Sequence, residues 1–235
     1  MFDVVILAGG LGTRLRSVVS QVPKCMAPVG GRPFLEWILR WTERFNVSRI
    51  IISLGYKSDI VTDWVESEYR FRPVPVDWVI EETPLGTGGG IRLAMSKVTS
   101  DYVVVLNGDT FFDVDLDRLC AFHESGSSPL SVALKPMTGF ERYGSVTIDD
   151  NNRIVSFNEK RYCREGLING GIYCMDYSFG LLKEKPDRFS FEKEVLEPLS
   201  REGVLSAYVS DAPFIDIGIP QDWEHAQTLI PSYIL

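Results

Sequence analysis

Histidine is scarce in this 235-residue chain: only His123 and His225 occur, and neither stands in a promising context for an imidazole base. Cysteine is sparse too. Cys25, Cys120, Cys163 and Cys174 include no pair at metal-ligand or redox spacing, so free, mostly buried thiols in a reducing cytosol are expected. No apolar run approaches membrane-spanning length. The first, Val4 to Ala8, is five residues long and ends in glycines, unlike a secretory signal. Asn46-Val47-Ser48 fits a glycosylation sequon, but nothing else looks secretory and the match is taken as chance. Excess positive charge is also missing. Net charge is −8, which gives no non-specific pull toward nucleic acid or anionic lipid. A phosphate ligand must therefore be met by a local cluster of donors and cations, with a metal. These absences point to a cytoplasmic protein with no membrane and no nucleic-acid partner, and leave a homodimer open.

Hydrophobic residues make up 45% of the chain and charged residues 24%, enough for a real core in one domain. The first half alternates strand and helix. Val4-Val5-Ile6-Leu7 is a short continuous apolar run, as in a buried parallel strand. A helix is predicted from Pro33 to Phe45, a strand from Arg49 to Leu54, a helix from Ser58 to Tyr69 and a strand from Val74 to Ile80. Gly86 to Lys97 begins glycine-rich and continues as helix, and Tyr102 to Leu106 is another buried strand. The second half is richer in strands: Leu130–Lys135, Ser145–Ile148, Ile154–Glu159, Leu167–Met175 and Leu205–Val209. Helices are predicted near Tyr177–Leu182 and Phe191–Arg201. The order implies an α/β fold: a Rossmann-like mixed, mostly parallel sheet with helices on both faces. No linker, repeat or low-complexity segment divides it. A single domain over 1–235 is expected, whose two halves, 1–110 and 111–235, form the two walls of a cleft.

The first strand runs into Leu7-Ala8-Gly9-Gly10-Leu11-Gly12-Thr13-Arg14-Leu15. A glycine-rich turn after a parallel strand brings backbone N–H groups close to phosphates. Leu15 stands where the dinucleotide fingerprint needs glycine, and the Gly-Lys-Ser/Thr of a P-loop is absent. The same turn could be purely structural, but Arg14 adds a cation suited to a polyphosphate. Two prolines rigidify the segment around Lys24, in Pro23-Lys24-Cys25-Met26-Ala27-Pro28, although lysines are usually solvated. Glu81-Glu82-Thr83-Pro84-Leu85-Gly86-Thr87-Gly88-Gly89-Gly90 is either a flexible loop or a seat for a flat base. In Leu106-Asn107-Gly108-Asp109-Thr110, Asp109 lies just past a buried strand, where open α/β sheets place ligand groups. Asp216, in Phe214-Ile215-Asp216-Ile217-Gly218, has a matching context, and the two carboxylates could share one Mg²⁺. Each alone could also be a turn residue. Glu159-Lys160 offers hydroxyl recognition and phosphate charge, as many surface ion pairs would.

Such parts suit transfer onto a sugar 1-phosphate. That group is already anionic near neutral pH and needs little general-base help. Catalysis then consists of alignment and charge neutralisation at the α-phosphorus by Mg²⁺, Arg14 and Lys24.

In this order the motifs resemble the sugar-1-phosphate nucleotidyltransferases, or nucleotide-sugar pyrophosphorylases, over nearly the whole chain. The resemblance implies a nucleotide-binding half to residue 110 and a sugar-phosphate-binding half from 111, with phosphate binding at Gly9 to Leu15, a catalytic Lys24, and metal ligation by Asp109 and Asp216. It also implies that Glu159 and Lys160 contact the sugar and its phosphate, that Gly144 lines the sugar pocket, and that Asn169 and Gly170 hold sugar hydroxyls. Within the family, the chain is most similar to the short D-glycero-α-D-manno-heptose 1-phosphate guanylyltransferases. Asn107 to Phe112, Phe140 to Gly144, Leu167 to Tyr173, Phe189 to Glu192 and Phe214 to Gly218 carry that likeness. Members with a left-handed β-helix have a long C-terminal extension. With the sequence ending at Leu235, no β-helix domain is expected.

Uracil- and thymine-specific relatives commonly place glutamine three residues before the position of Pro84. Here that residue is Glu81. One carboxylate can accept the adjacent N1–H and 2-amino donors of guanine, whereas the acceptors of uracil would be repelled. GTP is therefore favoured, unless Glu81 faces solvent. The alternatives are a uridylyltransferase for N-acetylmuramate or N-acetylglucosamine 1-phosphate, a mannose 1-phosphate guanylyltransferase, or a non-catalytic nucleotide-sugar sensor. The sensor would be expected to lack one of Arg14, Lys24, Asp109 or Asp216, and all four are present.

Overall fold

A computed structural model describes every residue except Leu11, Thr13, Arg16 and Leu235. The first strand, β1 (Phe2–Leu7), lies at the centre of the sheet. Val4 and Ile6 point into one core and Val5 into the other, and all three are fully buried. This is the reason for the unbroken apolar run: with both faces covered, no position is left for a polar side chain.

A short ribbon of β2 (Pro28–Val29) and β3 (Arg32–Pro33) leads into α1 (Phe34–Thr42). Trp37 and Trp41 of α1 are buried, and their indole N–H groups donate to the Val29 carbonyl and Asp113, each at 2.8 Å. Next come β4 (Val47–Leu54), α2 (Ser58–Trp64), β5 (Val76–Ile80), α3 (Gly86–Met95) and β6 (Tyr102–Asn107). Strands β5, β4, β1 and β6 lie side by side and all pair in parallel, as the alternation of strand and helix predicts.

The remaining elements are β7 (Thr110–Phe112), α4 (Leu116–Ser125), β8 (Leu130–Phe140), β9 (Gly144–Ile148), β10 (Ile154–Lys160), β11 (Cys163–Asp176), α5 (Glu197–Arg201), β12 (Leu205–Val209), β13 (Phe214–Asp216) and α6 (Pro220–Ile234). The long β11 joins the two halves. It pairs antiparallel with β6, β8 and β9, while β12 runs parallel to β8. The sheet is therefore mixed: parallel through the first half and antiparallel around β11. A bulge between Asn169 and Ile172 bends β11 where it passes the end of β6. Gly171 adopts a φ of +73° there, and a Cβ on it would lie 2.6 Å from Asn107 Nδ2.

Several predicted boundaries move. The helix expected over Tyr177–Leu182 is a 3₁₀ turn at Gly180–Glu184, and the one expected over Phe191–Arg201 opens as a π-helical turn at Glu192–Leu196. The predicted strand from Leu130 continues to Phe140. Helices α4 and α6 are additions to the sequence reading. α4 buries only Leu116, Leu119 and His123, and α6 only Ala226 and Ile230, with Pro231 inside it, so neither shows a strong apolar stripe. α6 is tied to the β2–β3 ribbon by Trp223 Nε1 and Gln227 Nε2, which both donate to the Pro28 carbonyl at 2.9 Å. No helix among the described residues is long and apolar enough to cross a membrane.

Asp3 anchors the lower end of β1. Its carboxylate is buried and accepts from Ser48 Oγ at 2.6 Å and from the N–H groups of Thr99 and Ser100 at 2.6 and 3.2 Å. Burial alone would raise its pKa. The bonds from Ser48, Thr99 and Ser100 outweigh it and hold the carboxyl below its usual range. A depressed folded-state pKa contributes stability above the unfolded value, lost as pH falls through the folded one. Asp3→Asn should therefore cost about 1–3 kcal/mol at neutral pH. Urea melts at about pH 7 and about pH 3 should show the gap to wild type shrinking in acid. A gap independent of pH would contradict the ionic account.

Candidate active site

A cleft of about 590 Å³ opens at the carboxyl ends of β1 and β6. Leu7 and Ala8 at the end of β1, with Gly9, Gly10, Gly12 and Arg14 of the following turn, form one side. Thr13, predicted with them, lies outside the described residues. Arg14 is exposed and makes no hydrogen bond or ion pair to the described residues, so its guanidinium is free to meet a ligand.

Glu81, Pro84, Gly86 and Thr87 line a second side. Here α3 begins without side-chain bulk because another segment packs onto it. A Cβ on Gly88 would sit 2.1 Å from the Phe189 ring, and the Phe189 carbonyl accepts from Gly88 N–H at 3.1 Å. The glycine run thus has a packing cause as well as a place beside the cleft. Glu81 is half-buried rather than facing solvent. Its Oε2 accepts from Leu85 N–H at 2.9 Å, and its Oε1 lies 2.9 Å from where a Cβ on either Gly9 or Gly90 would stand. A carboxylate oxygen has two lone pairs, so the Leu85 bond leaves it able to accept from a ligand.

Lys24, Asp109 and Asp216 bring three more segments to the cleft. Strand β7 pairs with β13 in the register Thr110 to Asp216, and Ile217 N–H donates to the Asp109 carbonyl at 3.0 Å. That register brings the two aspartates together from positions over a hundred residues apart. Lys24, held in a turn between Pro23 and Ala27, places its Nζ 2.6 Å from Asp109 Oδ2 and 3.5 Å from Asp216 Oδ1. The Lys24 side chain is only 14% exposed, against 41% for Asp109 and 26% for Asp216. The lysine therefore does not take the solvated position usual for its type. Burial, and then the facing Asp109, raise the Asp216 pKa, while Lys24 and a 2.7 Å bond from Gly218 N–H oppose the rise. Two converging carboxylates that need a cation between them suit Mg²⁺, which takes one or two carboxylates and leaves room for water and phosphate. No third His, Cys, Asp or Glu among the described residues completes an all-protein cage.

Gly108 also lines the cleft, as predicted. The predicted sugar side does not reach this lining. Gly144 pairs with Lys160 across β9 and β10, and both Glu159 and Lys160 are exposed. Asn169 lies at the β11 bulge, donating to the Tyr173 hydroxyl at 3.0 Å and accepting from Gly171 N–H at 2.9 Å. Gly170 is buried against the Phe112 ring. Gly144, Glu159 and Lys160 lie on the β9–β10 rim of the sheet, Asn169 and Gly170 lie at the β11 bulge, and none of the five lines the cleft.

Sequence reasoning missed Ser53, Asn107, Glu192 and Gly218 as lining residues, and treated Cys25 only as part of the lysine segment. Glu192 accepts from Thr87 Oγ1 at 2.7 Å and Ser190 Oγ at 3.0 Å, so the second half contributes a carboxylate to the same side of the cleft as Thr87. Its sequence neighbourhood gives no sign of this, because the contact with Thr87 spans 105 positions. Burial pushes the Cys25 thiol up to about 12, aided by the charge of Asp109, which keeps it protonated and unreactive. His123 lies elsewhere, bonded to Ser131 and Asp176, so neither an imidazole nor a thiolate serves the cleft.

Residues 3–232 match the nucleotidyl transferase family. The chain is 42% identical over 232 residues to a D-glycero-α-D-manno-heptose 1-phosphate guanylyltransferase of Aneurinibacillus thermoaerophilus, covering 99% of this chain and 100% of the relative. It is 39% identical to a protein of the same name from Campylobacter jejuni, over 95% of this chain and 97% of that one. Among solved structures, HddC from Yersinia pseudotuberculosis complexed with GMP-PN superposes with a TM-score of 0.85 at 40% identity, covering 97% of this chain and 98% of HddC. Sequence and fold thus agree, and the chain belongs to the nucleotidyl transferase family.

Proposed function

We propose that this protein transfers the guanylyl group of GTP to D-glycero-α-D-manno-heptose 1-phosphate, forming the GDP-sugar and pyrophosphate. The observation that carries the reading is the facing pair Asp109 and Asp216, bridged by Lys24 beside a glycine-rich turn. The choice of nucleotide is supported by Glu81 in the cleft and by the GMP-PN bound to HddC. The choice of sugar is supported by the names of two relatives that align along nearly the whole chain.

In this reading Gly9, Gly10, Gly12 and Thr13 receive the β- and γ-phosphates, with Arg14 over them. Glu81 accepts from guanine, and Leu7, Ala8, Pro84, Gly86, Thr87 and Gly108 shape the space around base and ribose. Gly144, Glu159, Lys160, Asn169 and Gly170 take the sugar phosphate from the rim. A phosphate oxygen of the sugar attacks the α-phosphorus, the bond to the β-phosphate breaks, and pyrophosphate departs. Lys24 neutralises charge at the α-phosphate, and the attacking group needs no base because it is already ionised. Asp109 and Asp216 would hold Mg²⁺, which when bound neutralises phosphate charge and orients its oxygens.

The reading predicts pyrophosphate release with GTP and the heptose 1-phosphate when triphosphates and sugar 1-phosphates are tested in all combinations with Mg²⁺. Activity with UTP alone, or with mannose 1-phosphate in preference to the heptose, would replace it by one of the alternative transferases. Asp109→Asn should lower kcat about 10²–10³-fold while circular dichroism stays that of wild type. Full activity in that variant removes the metal assignment. Glu81→Gln should narrow the GTP-over-UTP ratio of kcat/KM by about 10- to 100-fold, the worth of a buried mismatch of about 1–3 kcal/mol. An unchanged ratio would show that other groups read the base.

A further inference from the structure

The connection from β8 to β9 carries Arg142 and Tyr143, and neither side chain lines the cleft. Arg142 pairs with Asp222 in the first turn of α6 and donates to the Tyr143 hydroxyl at 3.1 Å. Its guanidinium carbon lies 5.4 Å from the Tyr143 ring centroid. The Tyr143 ring packs edge-on against Phe214 at 6.0 Å, and Phe214 packs edge-on against Phe112 at 5.6 Å. One connection therefore grips the chain on both sides of Asp216, through Phe214 before it and Asp222 after it. The field of Asp216 reaches the grip: burial first, and then the Asp216 charge, push the Tyr143 hydroxyl pKa up. The residue after Tyr143 is Gly144, which pairs with Lys160 on the rim.

We propose that Arg142, Tyr143 and Asp222 form a clasp that positions Asp216 for its cation and couples that carboxylate to the rim. The proposal rests on the reading of Asp216 as a metal ligand. Asp216 faces Asp109 across Lys24, whose Nζ stands 2.6 Å from Asp109 and 3.5 Å from Asp216, so the placing of each carboxylate sets the gap between them. Among the described residues the carboxylate itself is held by the Gly218 N–H and by Lys24. An arginine–carboxylate pair is directional, and it fixes where α6 starts relative to β13. Arg142 is 40% exposed, so the pair is screened and adds little to stability. Its effect belongs in metal binding and turnover. All three are positioning residues, since none of their side chains lines the cleft.

Arg142→Ala, Asp222→Ala and the double variant test this in the full chain. Mn²⁺ binding is measured by electron paramagnetic resonance without nucleotide, and kcat and KM are measured with GTP and the sugar phosphate. Each single variant should weaken Mn²⁺ binding about 10-fold and lower kcat about 10-fold, the scale of losing a partner behind a metal ligand. KM for GTP should stay within about two-fold, and the double variant should match the singles, because each already opens the same clasp. Tyr143→Phe keeps the ring against Phe214 and should lie between wild type and the alanine variants, a check that survives if an alanine variant folds poorly. Wild-type Mn²⁺ affinity in all variants, or losses that multiply in the double variant, would overturn the clasp. Absence of transfer by the wild type would count against the proposed function, while the Mn²⁺ titration would still decide the clasp.

Discussion

Two like charges are held face to face in this protein, and much of the architecture serves to keep them there. Asp109 and Asp216 converge because β7 and β13 pair in one register and the Asp109 carbonyl accepts from Ile217 N–H. A slip of one residue would turn one carboxylate to the opposite face of the ribbon. The arrangement costs electrostatic energy, visible in the raised pKa of Asp216. It persists because Lys24 supplies a counter-charge and because the cross-strand pair Phe112 and Phe214 packs edge to face within the ribbon. Two carboxylates with an ammonium between them form a site suited to a divalent cation and a phosphate together.

The cleft beside that pair is built by close approach. Segment 185–192 of the second half packs onto the start of α3, and the glycines there admit the Phe189 ring. Arg92 fixes the same segment through the Lys185 carbonyl and Asp187. Glu192 arrives on that segment and bonds Thr87. Part of the cleft lining, Glu192, thus comes from a chain region far away in sequence. The bulge in β11 is likewise a place of close approach, with Gly171 against Asn107 and Gly170 against the Phe112 ring.

What could be read from the sequence follows this division. β1 and β6 were legible because burial on both faces leaves an uninterrupted apolar run. Their carboxyl ends were legible as sites because glycine, arginine and aspartate follow directly. Asp216 could be matched to Asp109 by context, and the structure supplies the register that joins them. Lys24 was open between solvent and ligand, and its burial against both aspartates removes the solvated reading. Glu192, Ser53 and Asn107 were missed because a lone polar residue gains its meaning from what lies opposite. α4 and α6 were missed for a related reason: each buries only two or three side chains, and Pro231 interrupts the pattern of α6. Cys120 and Cys174 have no motif spacing, yet their sulfurs lie 3.8 Å apart across α4 and β11. Local patterns report burial and turns, whereas pairings across the chain need the fold.

The central claim is that Asp109 and Asp216 act together on one cation at the transferring phosphate. A crystal structure with GTP and Mn²⁺, read from the anomalous scattering of manganese, tests it most directly. The account predicts a manganese peak between the two carboxylates, within about 2.2 Å of an oxygen from each. A peak bound to phosphate alone, with Lys24 still bridging Asp109 and Asp216, would contradict it.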